Sequence, residues 1–267
     1  MNAIDELFQR LRAEKKRAFM PFLTAGDPDM ATTIHLIREV VNAGAHLVEI
    51  GFPFSDPIAD GPVIQASYTR ALDKGLQLDD VLAGIRELTQ SPGWNTPIVG
   101  MVSYSLIYRR GVETFLEQAI TAGMSGMIVP DLPAEEAEEL AAQCRSRDFK
   151  MILLVTPTTS ATRAAKIVEL STGFLYCVSI VGITGERDRL PEALRGQLAH
   201  LRTLTDLPLC VGFGVSKPEH IHGLREVADG IIVGSALIRR LEAIPADGLD
   251  RVAQQMHQQV AELVAAL

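Results

Sequence analysis

Residues Met30 to Gly51 read MATTIHLIREVVNAGAHLVEIG. The first part, Met30–Ala43, has the spacing of an amphipathic helix. Gly44 follows, where a glycine ends a helix readily. The apolar run His46–Gly51 comes next, and it is continuous rather than alternating. A strand of that kind belongs to a parallel sheet covered on both faces.

The same unit recurs along the chain. Apolar strand runs are read at Ala18–Leu23, His46–Gly51, Pro97–Val102, Ser125–Val129, Lys150–Val155, Phe174–Ser179, Pro208–Gly212 and Asp229–Val233. Helical patterns lie between them, at Val112–Ala122, Ala134–Ser146, Ala161–Leu170 and Pro191–Leu204 among others. Gly123, Gly173 and Gly230 repeat the helix-ending position of Gly44, while Asp131, Ser160 and Ser216 suit helix starts. Eight βα units most simply close into a (β/α)8 barrel, with an open doubly wound sheet as the rival. An extra N-terminal helix, Ala3 to Glu14, would cover the bottom of the barrel. With no linker or shift in composition, residues 1–267 read as one catalytic barrel domain.

Composition fits this. The chain has 267 residues, 47% of them hydrophobic, and a barrel needs about 250. A formal net charge of −8 disfavours nucleic acid and anionic membranes, both of which attract basic faces. It leaves room for a small anionic substrate. The segment Met1 to Lys16 has no apolar leader core, and no apolar run reaches membrane length. Cys144, Cys177 and Cys210 form no pairing framework, which suits a reducing cytoplasm.

Barrel enzymes keep their chemistry at the C-terminal ends of the strands. Glu49 lies there, inside the apolar run Leu47-Val48-Glu49-Ile50-Gly51. A buried carboxyl needs a partner or a proton, and burial raises its pKa toward the range useful for proton transfer. A structural ion pair is the competing reading. The loop Gly51-Phe52-Pro53-Phe54-Ser55-Asp56-Pro57-Ile58-Ala59-Asp60-Gly61-Pro62 follows. Its three prolines restrict it, so Asp60 can be held in place. Asp60 and Asp56 also read as a helix-start charge and a turn residue. The loop is expected to present Phe52 or Phe54, Pro53 and Pro57 at the barrel mouth. Asp131 reads more strongly as a cap of the helix after it than as a catalytic group.

Gly212-Phe213-Gly214-Val215-Ser216 follows the seventh strand, and Gly234-Ser235-Ala236 follows the eighth. Barrels bind phosphate between these two loops, where glycine lets backbone N–H groups approach the ligand. The segment Gly182 to Arg189, after the sixth strand, reads as a glycine-hinged lid or as a plain solvated loop. The histidines are scattered, and no metal site is read. No P-loop, HExxH or GxSxG motif occurs.

Together these residues resemble the tryptophan synthase α subunit family. The resemblance runs from Phe19-Met20-Pro21-Phe22-Leu23-Thr24-Ala25-Gly26-Asp27-Pro28 through Val48–Pro62, Pro130-Asp131-Leu132-Pro133 and Gly182-Ile183-Thr184-Gly185 to Gly212-Phe213-Gly214 and Gly234-Ser235. It implies retro-aldol cleavage of indole-3-glycerol phosphate to indole and glyceraldehyde 3-phosphate. Glu49 would be the proton shuttle, and Asp60 would stabilise positive charge at the indole nitrogen. Phe22, Ile64 and Tyr176 resemble ring and pocket contacts. Gly185, Gly212, Phe213, Gly214, Gly234 and Ser235 match the phosphate cradle, and Thr184 the lid hydroxyl that closes onto Asp60. The resemblance further implies a β-subunit partner in an α2β2 heterotetramer, touched through Pro53 and Asp56. Pyridoxal phosphate would belong to that partner, and this chain would carry no cofactor.

The chain departs from the family's common pattern at Ser103, where an aromatic pocket residue is usual. It departs again at Ser105-Leu106, where Asn-Pro is usual, and at Val181 before the lid. Three other readings stand beside the first: a stand-alone indole-3-glycerol-phosphate lyase, a phosphate-binding barrel that mainly regulates a partner, and a phosphate-binding barrel isomerase. Glu49 and Asp60 argue against the second, and the Asp56–Asp60 loop against the third.

Overall fold

A computed structural model describes residues 1–57, 60–179, 192–212, 214 and 217–267. Its strands are β1 (Ala18–Thr24), β2 (Val48–Gly51), β3 (Ile98–Met101), β4 (Gly126–Ile128), β5 (Lys150–Ile152), β6 (Leu154–Val155), β7 (Leu175–Val178), β8 (Leu209–Gly212) and β9 (Gly230–Val233). All belong to one parallel sheet in the order β5-β4-β3-β2-β1-β9-β8-β7-β6. β5 and β6 are successive parts of one apolar run that breaks its ladder at Leu153, so the nine strands form eight staves. The Leu153 carbonyl accepts from the Tyr176 N–H at 3.2 Å, and the Met151 carbonyl from the Thr172 N–H at 2.9 Å. These bonds bring the two ends of the sheet together. The barrel is the expected one, and the open doubly wound sheet is excluded.

The strands are apolar throughout because both faces are covered. All seven residues of β1 are buried. The helices α1 (Ala3–Ala13), α2 (Met30–Asn42), α3 (Pro62–Asp73), α4 (Leu78–Thr89), α5 (Tyr104–Arg110), α6 (Val112–Thr121) and α7 (Glu138–Ser146) accompany the first half. The second half carries α8 (Ala161–Leu170), α9 (Glu192–Leu204), α10 (Pro218–Leu224), α11 (Ser235–Leu241), α12 (Ile244–Asp247) and α13 (Leu249–Ala265). α1 closes the bottom as expected. Its Asn2 cap donates to the carbonyls of Ser125 at 2.9 Å and Asp148 at 2.7 Å. Phe8 packs on Phe174 with ring centres 5.9 Å apart.

Three local readings change. Gly44 and Gly123 end helices with positive φ, Gly173 has positive φ beyond the Ser171 cap of α8, and Gly230 is the first residue of β9. A side chain there would meet Cys210 Sγ at 2.7 Å, so glycine answers to packing rather than to a turn. The helix expected from Ala134 begins as a short 3-10 turn, Ala134–Glu136, and becomes α-helical at Glu138. Asp131 caps a different helix. Its carboxylate accepts from Ser103 Oγ at 2.6 Å and from the Tyr104 N–H at 2.8 Å, tying the β4 loop to the start of α5. Ser160 caps α8 as read, and Ser216 lies outside the described residues. Cys144, Cys177 and Cys210 are buried free thiols. Among the described residues, no helix is long and apolar enough to cross a membrane.

α3 matters most for the site, because it carries the chain away from Asp60. Two polar anchors fix it to the end of β1. Thr24 Oγ1 and Ser67 Oγ share a hydrogen bond of 2.7 Å. Arg70 makes a two-pronged pair with the buried Asp27 carboxylate, at 3.0 and 2.7 Å. Such planar pairs set orientation as well as charge.

Candidate active site at the C-terminal end of the barrel

Side chains alternate along a strand, so Glu49 and Gly51 face the same side of β2. That side is the barrel interior. In the sheet register Phe22 of β1 sits beside Glu49, and Val99 of β3 on its other side. Glu49 is 1% exposed, and among the described residues neither of its carboxyl oxygens has a hydrogen-bond partner. An ionised carboxylate left so would be very costly. Burial, with the nearby Asp60 charge adding to it, pushes the Glu49 carboxyl up to about 8. The ion-pair reading of Glu49 therefore fails.

Asp60 comes from the loop between β2 and α3. Its N–H donates to the Pro57 carbonyl at 3.0 Å, and its carbonyl accepts from Gln65 Nε2 at 2.7 Å. The backbone is thereby held while the carboxyl is left for other work. Asp60 is only partly exposed, and burial raises its carboxyl to about 6. It lines a cleft with Phe52, Phe54, Tyr68, Met101 and Ser103.

Two phenols cross the site from opposite walls, each over a glycine. A Cβ on Gly51 would lie 2.6 Å from the Tyr68 hydroxyl and against Phe22 Cζ. A Cβ on Gly212 would strike the Tyr176 hydroxyl. Gly212 thus clears the Tyr176 ring, a need separate from any approach of ligand to backbone. Both phenols are pushed well above their usual range, by burial first and then by the charges of Glu49 and Asp60. They remain neutral near neutral pH.

Phe22, Ile64 and Tyr176, expected to line the pocket, are all buried, and Phe22 lies against Gly234. Gly234 is the cap of α11, which Ser235 opens. Gly212 ends β8, and its carbonyl accepts from Ser179 at the end of β7. Gly214 follows with φ +84°. Thus Phe22, Glu49, Tyr176, Gly212, Gly234 and Ser235 stand on neighbouring staves of one rim. Thr184, Gly185 and the rest of the 182–189 segment, with Phe213, lie outside the described residues. Among the described residues, no three His, Cys, Asp or Glu side chains gather to hold a metal ion.

The loop after β2 is less exposed than its sequence suggests. Phe52 is 2% exposed because its N–H continues the ladder to the Met101 carbonyl at 2.9 Å and its ring packs on Gly100. Pro53 is buried as well. Phe54 and Pro57 are half-buried, and Asp56 is exposed, accepting from Ser55 Oγ at 2.7 Å. Tyr68 was missed in the sequence. Ile64 and Tyr68 are one helical turn apart, so an aromatic at that spacing from a pocket residue was the available signal.

The sequence profile described as tryptophan synthase alpha chain matches residues 8–267. The chain belongs to the tryptophan synthase alpha chain family. It is a lyase that cleaves indole-3-glycerol phosphate, with a place in tryptophan biosynthesis. The tryptophan synthase alpha chain of Rhodopirellula baltica is 52% identical over 242 residues, covering 90% of this chain and 87% of that one. That of Synechocystis sp. is 47% identical over 251 residues, covering 93% and 94%. Among solved structures, the tryptophan synthase alpha subunit from Legionella pneumophila superposes with a TM-score of 0.91 at 36% identity, covering all of this chain and 98% of that one. A chain of the tryptophan synthase α2β2 complex from Pyrococcus furiosus gives 0.85 at 37% identity, covering 93% and 98%.

Proposed function

We propose that Glu49 and Asp60 perform the cleavage as an acid–base pair within a catalytic barrel spanning residues 1–267. The observation that carries this is a wholly buried carboxyl with no partner, held at the end of an apolar strand beside a second carboxyl. Glu49, protonated at neutral pH, gives its proton to indole C3. The ring becomes an electron sink, with positive charge at nitrogen facing the Asp60 anion. The glycerol hydroxyl next to the ring then returns a proton to Glu49, and the C–C bond electrons pass into the ring. Indole and glyceraldehyde 3-phosphate result, and Glu49 is protonated again. Phe22, Ile64 and Tyr176 enclose the indole. Gly212, Gly214, Gly234 and Ser235 hold the phosphate, with Phe213, Thr184 and Gly185 completing that end. The test is to incubate the pure chain with indole-3-glycerol phosphate and measure both products. Equal amounts of indole and glyceraldehyde 3-phosphate support the reading, and no indole under any condition rejects it.

The partner in this reading is a tryptophan synthase β subunit, in an α2β2 assembly, which brings pyridoxal phosphate of its own. The exposed Asp56 and the half-buried Phe54 offer the contacts of the loop after β2, with Pro53 stiffening it from beneath. The burial of Phe52 and Pro53 favours one alternative, a lyase that releases free indole alone, because it leaves less apolar surface for docking.

A further inference from the structure

α3 brings a tyrosine over Gly51, the step between Glu49 and the mouth of the barrel. Gly51 lies on the same face of β2 as Glu49, one step nearer the mouth. With no side chain at Gly51, that step would stand open. The Tyr68 hydroxyl and the Phe22 ring tip fill it instead, both within contact of the position a Cβ would take. Tyr68 is 3% exposed, and its helix is anchored to the end of β1 through Ser67 and Arg70.

We propose that Tyr68 is a positioning residue of this site: its phenol, with the Phe22 ring, walls off the Gly51 step above Glu49 and keeps water from the carboxyl. This rests on the assignment of Glu49 as the proton carrier. The consequence is electrostatic. A carboxyl stays protonated near neutral pH only while water is excluded, since hydration restores the ordinary value. The ionisable groups that face Glu49 are Asp60 from the loop, Tyr68 from α3, Tyr176 from β7 and Cys210 from β8. Both phenols and the thiol are held neutral by burial, so Asp60 is the charge beside it. Asp60 raises the Glu49 value but is not the larger cause, which is burial. Removing the wall therefore removes the main cause.

The experiment compares Tyr68→Phe, Tyr68→Leu and Tyr68→Ala in the full chain. The protonated Glu49 carboxyl is followed by infrared difference spectroscopy across pH, with Glu49→Gln identifying its band. Tyr68→Phe keeps the ring and removes only the hydroxyl that meets the Gly51 position, so it should lower the midpoint by less than Tyr68→Leu does. Tyr68→Leu and Tyr68→Ala open the step and should lower the midpoint by about one unit or more. If Tyr68→Ala fails to fold, the shorter but still apolar leucine decides. An unchanged midpoint in the folded leucine or alanine variant overturns the proposal. So does a shift in Tyr68→Phe as large as in Tyr68→Leu, which would leave the ring no part in the wall. The basic limb of kcat for indole-3-glycerol phosphate should move with the infrared midpoint. A midpoint that moves while Glu49→Gln remains fully active would leave the wall intact as a finding and reject Glu49 as the proton carrier.

Discussion

Glu49 and Asp60 are both carboxyls, and their surroundings give them different work. Glu49 has lost water on every side and holds its proton to about 8, while Asp60, at the edge of the cleft, releases its proton near 6. Between those values one is an acid and the other an anion, which is the division the proposed mechanism needs. Cleavage should therefore rise as pH passes about 6 and fall as it passes about 8. The two limbs belong to the interacting pair rather than to either residue alone. A pH profile without a fall on the basic side would contradict this. The same burial acts on stability. The folded value lies above the unfolded value of 4.5. Below pH 4.5 the carboxyl is neutral in both states. From there to about 8 the unfolded chain ionises and the folded chain does not, so stability falls as pH rises. Glu49→Gln escapes that loss. Urea unfolding should show the variant more stable than the parent by an amount that grows over this window, up to a few kcal/mol.

The elements place these residues, and α11 offers a direct test. Gly234 and Ser235 start it on the same rim, two staves from β2, and Gly234 lies against Phe22. Gly234→Asp puts a negative charge where the phosphate is proposed to bind, and the barrel should remain folded. Titration with glycerol 3-phosphate should show at least about tenfold weaker binding, or about 1.4 kcal/mol. Equal affinity would move the phosphate elsewhere. Most of the architecture was legible in the sequence. A strand covered on both faces shows as an unbroken apolar run, and all eight runs became staves. The break at Leu153 was hidden, because a ladder can part without any change in composition. Asp131 looked like a cap for the chain that follows it, yet its partners come from Ser103 and Tyr104 on the neighbouring stave. Glu49 was legible because a charge in an apolar strand is costly wherever it points. Tyr68 was not, since an aromatic on an amphipathic helix reads as core, and only the packing over Gly51 shows what it covers.

The whole molecule gathers its chemistry at one end. α1 closes the other end with apolar contacts and carbonyl hydrogen bonds. A net charge of −8 leaves small anions to be held locally by backbone donors. A β subunit docking at the rim would meet Asp56 and Phe54 directly and could hold Asp60 through its loop. If the competent arrangement is populated at about 1% in the free chain, a partner that saturates it would raise turnover up to roughly 100-fold. Cleavage measured against increasing native β subunit should climb to a plateau. A flat response with high turnover alone would support the stand-alone lyase instead. The role of Glu49 is tested most directly by the turnover of indole-3-glycerol phosphate by Glu49→Gln beside the parent chain, with folding checked by circular dichroism. With Glu49 as the proton carrier, the folded variant is slowed by about 10²–10⁴-fold, the usual contribution of an acid–base group. A folded variant with normal turnover would contradict it.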